Sequence, residues 1–167
     1  MKWIVIFLSF SMVVLIIACG GESEDRQRTT GERKEVQGVE QREPDPRGIG
    51  EVTNVDLTDP LDQRMIRRGK QISDVKCASC HLYDTEERLV GPGYLNVTNR
   101  RSPEWIMNMI TNVDVMLDED PVAQKMLEEC LVRMPDQNIS IEEARDLLEF
   151  LRHNDEEHAG KRDGGVI

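Results

Sequence analysis

The sequence predicts an all-α fold, a small helical domain, on three observations. No stretch alternates apolar and polar residues for long enough to read as a strand. Between Pro60 and His153, four segments carry apolar residues at helical spacing behind recognisable start signals. Apolar residues make up 38% and aromatics 4% of a 167-residue chain, so the core is small, and a bound apolar group would complete it.

The first helix starts at Asp59-Pro60 and runs through DPLDQRMIRRGKQISDV, which places Leu61, Met65, Ile66, Ile72 and Val75 near one face. Gly69 lies inside it, at a cost of about 1 kcal/mol relative to alanine unless close packing needs it. After CASCH comes a loop, VGPGYLNVTNRR, whose glycines and proline exclude regular structure. Ser102-Pro103-Glu104 opens the second helix, with a serine cap and proline in the first position; it carries Trp105, Ile106, Met109 and Ile110. The third spans Asp120 to about Leu131, with Pro121 at its start and Ala123, Met126, Leu127 and Cys130 inward. The loop VRMPDQN separates it from the last helix, which begins at the capping box Ser140-x-x-Glu143. Its stripe is Ala144, Leu147, Leu148 and Leu151, with Phe150 beside it, and the polar sequence beyond His153 is expected to fray into a flexible tail over 156–167.

The domain proper is expected over 51–155. Ahead of it, Lys2 precedes an apolar stretch from Trp3 to Ala18, short for a membrane span but suited to the core of a secretory signal. Residues 19–50 are rich in both signs of charge and poor in apolar weight, so they cannot offset the entropy of ordering and read as a flexible polar tether. The chain carries 32 acidic and 21 basic residues, net −11. With no basic stripe to neutralise phosphates, nucleic acid is excluded as a partner. The acidic surface suits partner proteins with basic docking faces.

The chemistry concentrates in VKCASCHLYD, where Cys77 and Cys80 bracket two residues and His81 follows directly. A structural zinc site needs about four ligands and usually a second matched pair. Here only Cys130, His153 and His158 remain, with no second CxxC. A redox CxxC belongs after a strand in a βαβ pattern, and no strand is evident. Covalent haem attachment needs two thiols for the two vinyl groups and an imidazole next in the chain for the iron, in the order CASCH provides them. Haem is therefore the preferred reading, with zinc and redox as its rivals.

Three further stretches agree with it. GKQISDVKCASCH, with Gly69 eight residues before Cys77, resembles the first helix and haem site of class I c-type cytochromes. DLLEFL (146–151) is similar to that family's C-terminal helix, with Phe150 at the aromatic position, and VGPGYL (90–95) is similar to its GPxL loop. Ser73 stands where the family usually has an aromatic residue. The resemblance covers about Leu61 to Arg152. It implies a small cytochrome c-type helical domain around one covalently bound haem c, with thioethers at Cys77 and Cys80, His81 on one face of the iron, and Pro92 orienting its imidazole through a carbonyl. RMPDQ resembles the family's distal motif, which implies Met134 as the second axial ligand; Met126 and Met116 are the alternatives, and His153 and His158 would give bis-histidine ligation. Tyr94 or Trp105 would bond a haem propionate or simply pack, and Arg100 and Arg101 would pair with a propionate or stay solvated. Cys130 reads as a small buried hydrophobe. LIIAC followed by glycine resembles a bacterial lipoprotein signal, which implies diacylation of Cys19 and a mature protein anchored to the cell or outer membrane, facing the periplasm or exterior.

With both iron positions filled, the implied function is one-electron transfer and not catalysis: a membrane-tethered, monomeric carrier of the respiratory chain. Its acceptor would be a terminal oxidase or a nitrogen-oxide reductase; PEWIMNMI and the acidic stretch after it resemble small cytochromes found beside nitrous-oxide reductases. The rival is a haem enzyme or gas sensor in which the distal methionine leaves to open the iron.

Overall fold

The computed structural model describes residues 43–165. The leader 1–18, Cys19 and the tether as far as residue 42 lie outside them. The described residues hold six helices and no strand: α1 (Gln63–Lys76), α2 (Val97–Arg100), α3 (Pro103–Thr111), α4 (Val113–Glu119), α5 (Pro121–Cys130) and α6 (Ile141–Ala159). None is long and apolar enough to cross a membrane.

The frame is the crossing of α1 on α6. A Cβ on Gly69 would overlap the Asp146 backbone carbonyl and Phe150, so the helices approach backbone to backbone at a spot only glycine allows. Arg68 straps the crossing with a bidentate bond to Asp146, both contacts 2.6 Å. Ser73, in the place of an aromatic residue, is fully buried. Tyr83 supplies the ring instead: it meets Phe150 edge-on at 5.4 Å and donates to Asp74 at 2.9 Å. An aromatic from the following loop thus replaces one from the helix.

Several expectations are corrected. α1 starts at Gln63, not at Asp59-Pro60, because the Asp62 carboxylate accepts from the Arg64 and Met65 N–H groups at 2.7 and 3.2 Å. Its buried face is Ile66, Gly69 and Ser73. Val75 is two positions past Ser73, on the opposite side of a 3.6-residue turn, and is 84% exposed. The loop after CASCH is not wholly irregular, since α2 closes it. Asp155 builds that turn, accepting from Asn96 N–H, Thr98 N–H and Thr98 Oγ1 at 2.7, 2.9 and 2.6 Å. α4 was hidden by its charges, Asp114, Asp118 and Glu119; burial of Val113, Met116 and Leu117 holds it.

Both ends of the packed chain extend further than expected. Before Glu51, Ile49 N–H lies 3.0 Å from Met116 Sδ and its carbonyl accepts from Asn112, while Asn108 Nδ2 bonds the carbonyls of Arg47 and Val52. Beyond His153, α6 continues to Ala159 and buries Asn154 and Asp155. The segment after it returns on the domain: Asp163 pairs with Arg152 at 2.8 Å and Gly165 N–H donates to Thr98 O at 2.9 Å. Neither signal was visible in the sequence, because each pairs polar groups with residues about 11 to 67 positions away.

Candidate haem site

The CASCH stretch is a tight turn continuing α1. Cys77 and Ala78 N–H groups reach the Ser73 carbonyl at 2.8 and 3.0 Å, and Cys80 and His81 N–H groups reach the Cys77 carbonyl at 3.0 Å each. Cys77 and Cys80 are free thiols, half-buried. Burial pushes the Cys77 thiol up, which Tyr94 and Ser73 nearby oppose.

The GPG loop is then fastened over this turn by backbone bonds. Val90 and Gly91 N–H groups donate to Cys80 O at 3.2 and 2.9 Å, and Tyr94 N–H donates to Leu82 O at 2.9 Å. Pro92 O receives a hydrogen bond from His81 Nδ1 at 2.8 Å. A carbonyl only accepts, so Nδ1 carries the proton and the Nε2 lone pair is free for a metal. Burial holds the imidazole below its usual range, partly offset by that bond, which favours the neutral form a metal requires. A Cβ on Gly91 would overlap the imidazole ring, and Tyr94 stacks on it at 4.6 Å and 20°. Pro92 and Tyr94 therefore both contact His81, Pro92 through its carbonyl and Tyr94 as a stacking partner.

His81, Cys77 and Cys80 open into a cavity of about 240 Å³. Its lining also takes apolar side chains from Met109 of α3, Leu117 of α4 and Met126 and Leu127 of α5, with Met134 from the loop after α5. Cys130 also lines the cavity, half-buried at the end of α5. Met116 does not. It is buried at 0% exposure beneath residues 48–49, which leaves Met109, Met126 and Met134 as the thioethers of the cavity. His153 and His158 flank Glu157 on the surface of α6, at 3.5 and 3.8 Å, and neither lines the cavity.

Trp105, Arg100 and Arg101 lie elsewhere as well. Trp105 Nε1 donates to the buried Asp120 carboxylate at 3.3 Å, Arg101 rides over the Trp105 ring at 5.1 Å, and Arg100 pairs with Glu86 at 3.2 Å. The distal wall residues Leu117, Leu127 and Met109 had no sequence signal of their own, because helical spacing separates inward from outward but not cavity from core.

The donor set fits a covalently held haem. Two unpaired thiols, an imidazole with a free Nε2 and three thioethers line one largely apolar cavity. A zinc site asks for about four Cys, His, Asp or Glu donors, and the described residues gather no group of three.

Residues 66–155 match the family model "Cytochrome c". No curated protein matches the chain. Among solved structures, a cytochrome c from Rhodothermus marinus is similar at 36% identity and TM-score 0.64, covering 67% of this chain and 95% of that one. An engineered form of that protein, Rma TDE, is similar at 34% and 0.63, and the same engineered protein bound to a carbene intermediate at 34% and 0.60; each match covers 67% of this chain and 99% of that one. The chain belongs to the cytochrome c family, haem proteins of the electron-carrier kind with covalently attached haem c.

Proposed function

We propose that this chain is an exported, lipid-tethered monohaem carrier that passes single electrons between respiratory redox proteins, with His81 and Met134 as the axial ligands. One observation carries it: His81, whose Nδ1 is held by the Pro92 carbonyl, and Met134 line the same largely apolar cavity. Haem c, when bound, supplies one-electron cycling of its iron. The Pro92 carbonyl and the Tyr94 ring fix the imidazole, the apolar wall of α3, α4 and α5 excludes water, and Met134 closes the far side.

The mouth of the cavity supports an electron-exchange face. Val75, Val90 and Val132 line it and are 84%, 38% and 56% exposed, and Leu131 beside them is 86% exposed. Glu87, Glu128, Glu129 and Asp136, near these residues in the chain, are exposed, while Lys76 and Arg133 line the cavity itself. An apolar cavity mouth on a chain of net charge −11 fits a redox partner with an apolar patch inside a basic border, such as a terminal oxidase or a nitrogen-oxide reductase like nitrous-oxide reductase. Lipidation at Cys19 would hold the domain within reach of membrane partners and raise its effective concentration there.

The holoprotein tests the reading. The oxidised form is expected to show the weak sulfur-to-iron charge-transfer band, and the reduced form to resist carbon monoxide. Met134→Ala should abolish the band and admit carbon monoxide, while Met126→Leu leaves both unchanged. Rapid carbon monoxide binding by the unmodified protein would favour an open-iron enzyme or gas sensor instead. Cys19→Ser should release the protein from the membrane fraction; retention there would sink the lipid anchor.

A further inference from the structure

The segment that carries Met134 is supported unlike any other part of the site. Among the described residues, 132–139 make no hydrogen bond from backbone to backbone. Arg133, the residue beside Met134, supplies the fastening. Its Nε and Nη2 donate to Asp114 Oδ1 at 3.3 and 3.2 Å, Nη2 also donates to the Asp114 carbonyl at 3.1 Å, and Nη1 donates to Asp118 Oδ1 at 2.9 Å. Asp114 and Asp118 stand one turn apart on the outer face of α4, and Leu117 between them lines the haem cavity. α4 itself is anchored by Val113 and Met116, 2% and 0% exposed. The guanidinium thus ties the neighbour of Met134 to a wall of the same cavity.

We propose that Arg133 is a positioning residue for Met134: its clamp on Asp114 and Asp118 sets how rarely the thioether swings away from the haem cavity. The proposal rests on Met134 being the distal ligand. An exposed ion pair alone shifts an equilibrium little, at most about fivefold. Here one guanidinium meets two carboxylates and a carbonyl, so several contacts share a single ordering cost. The groups are also exposed, with side chains at 41%, 71% and 63% for Arg133, Asp114 and Asp118, so salt screens them. Lys76 reaches the Gln137 carbonyl within the segment and Arg88 the Glu129 carbonyl of α5 before it, so each holds backbone and no charge. Only Arg133 combines adjacency to Met134 with a charge-on-charge attachment, and the opening of this loop should therefore rise with ionic strength.

The test is the affinity of the oxidised holoprotein for imidazole, which enters only where the distal ligand has left, so that apparent affinity scales with the open fraction. Arg133→Gln is expected to raise that affinity about tenfold and to remove its salt dependence. Asp114→Asn with Asp118→Asn should do the same, and combining all three changes should add nothing more. Arg133→Lys should restore part of the effect. Arg64→Gln, whose guanidinium pairs with Asp62 at the start of α1, should change nothing. An unchanged affinity and salt slope in Arg133→Gln overturns the clamp. Met134→Ala is run beside it: if that variant keeps the charge-transfer band, the ligand assignment fails and the clamp proposal with it. If it loses the band, the clamp stands or falls on the imidazole result alone.

Discussion

The two sides of the haem cavity are built by different means. The His81 side is knit by backbone: four N–H groups of the turn close on Ser73 and Cys77, and the GPG loop closes on Cys80 and Leu82. The Met134 side has no such bonds over 132–139 and hangs from side-chain cations. Backbone bonds in a buried turn are indifferent to salt and leave the imidazole one place to stand. Exposed ion pairs are weak and screened. The comparison teaches that the domain fixes His81 by its covalent neighbours and backbone geometry, and holds the Met134 segment by exposed side-chain bonds that salt can loosen.

The hardest break in this comparison is at Gly91. Its Cα lies so close to His81 that any added Cβ overlaps the ring, and the loop around it is too well bonded to move aside. Gly91→Ala should displace the imidazole and leave little six-coordinate haem protein, read as loss of the low-spin spectrum in purified material. A normal spectrum and normal yield would show that the GPG loop is softer than its hydrogen bonds imply. No single substitution on the Met134 side other than Met134 itself should match this effect.

The next test contrasts a buried ionic network with the exposed one. Glu149, fully buried, accepts from Thr58 Oγ1 at 2.5 Å, Asp62 N–H at 2.9 Å, Arg145 at 2.7 Å and Arg152 at 2.9 Å. This network joins α6 to the start of α1 and so stands behind the His81 side. Burial alone would raise the Glu149 carboxyl, but the bonds from Thr58, Arg145, Asp62 and Arg152 more than offset it and hold it below its usual range. Glu149→Gln removes one of the two counter-charges of Arg152, which is 1% exposed and stays paired with Asp163, and should cost about 2 kcal/mol in denaturant unfolding. A depressed carboxyl stabilises fully above its unfolded value, about pH 4.3, and the contribution fades as pH falls through the folded value. Unfolding below about pH 5 should therefore be steeper in the parent than in the variant. Added salt should hardly change the loss, in contrast to the Arg133 clamp.

The same contrast decides what could be read in the sequence. The His81 side is local: Cys77, Cys80, His81 and Pro92 lie within one short stretch, and their order states their chemistry. The place of Met134 in a loop was legible because Pro135 ends any helix there and the Ser140 cap follows; that it lines the cavity was not a local signal. The latch was not, because Arg133 and Asp114 are nineteen positions apart and acidic residues on a short helix look like an ordinary solvated face. α4 was missed for that reason, and its burial of Met116 turned a candidate ligand into core. The aromatic expected at Ser73 was supplied by Tyr83 from a loop, a replacement that conserves packing without conserving position.

The smallest expected effect is also the one that separates stability from docking. Leu131 ends α5 in the left-handed region, φ 61, while 86% of its surface is exposed. A bulky residue there is strained, by roughly 1–2 kcal/mol, and glycine is the usual occupant of such a helix end. Nothing in the packing offsets that strain, so its value is sought in the rim around the cavity mouth. Leu131→Gly should raise the unfolding free energy by about 1 kcal/mol, seen in thermal melts, and leave the absorption spectrum unaltered. Electron transfer to a partner with a basic border should slow by several-fold in the same variant. A stabilised protein with undiminished electron transfer would move the docking face away from α5, and the distal side would then be soft without being the side that partners touch.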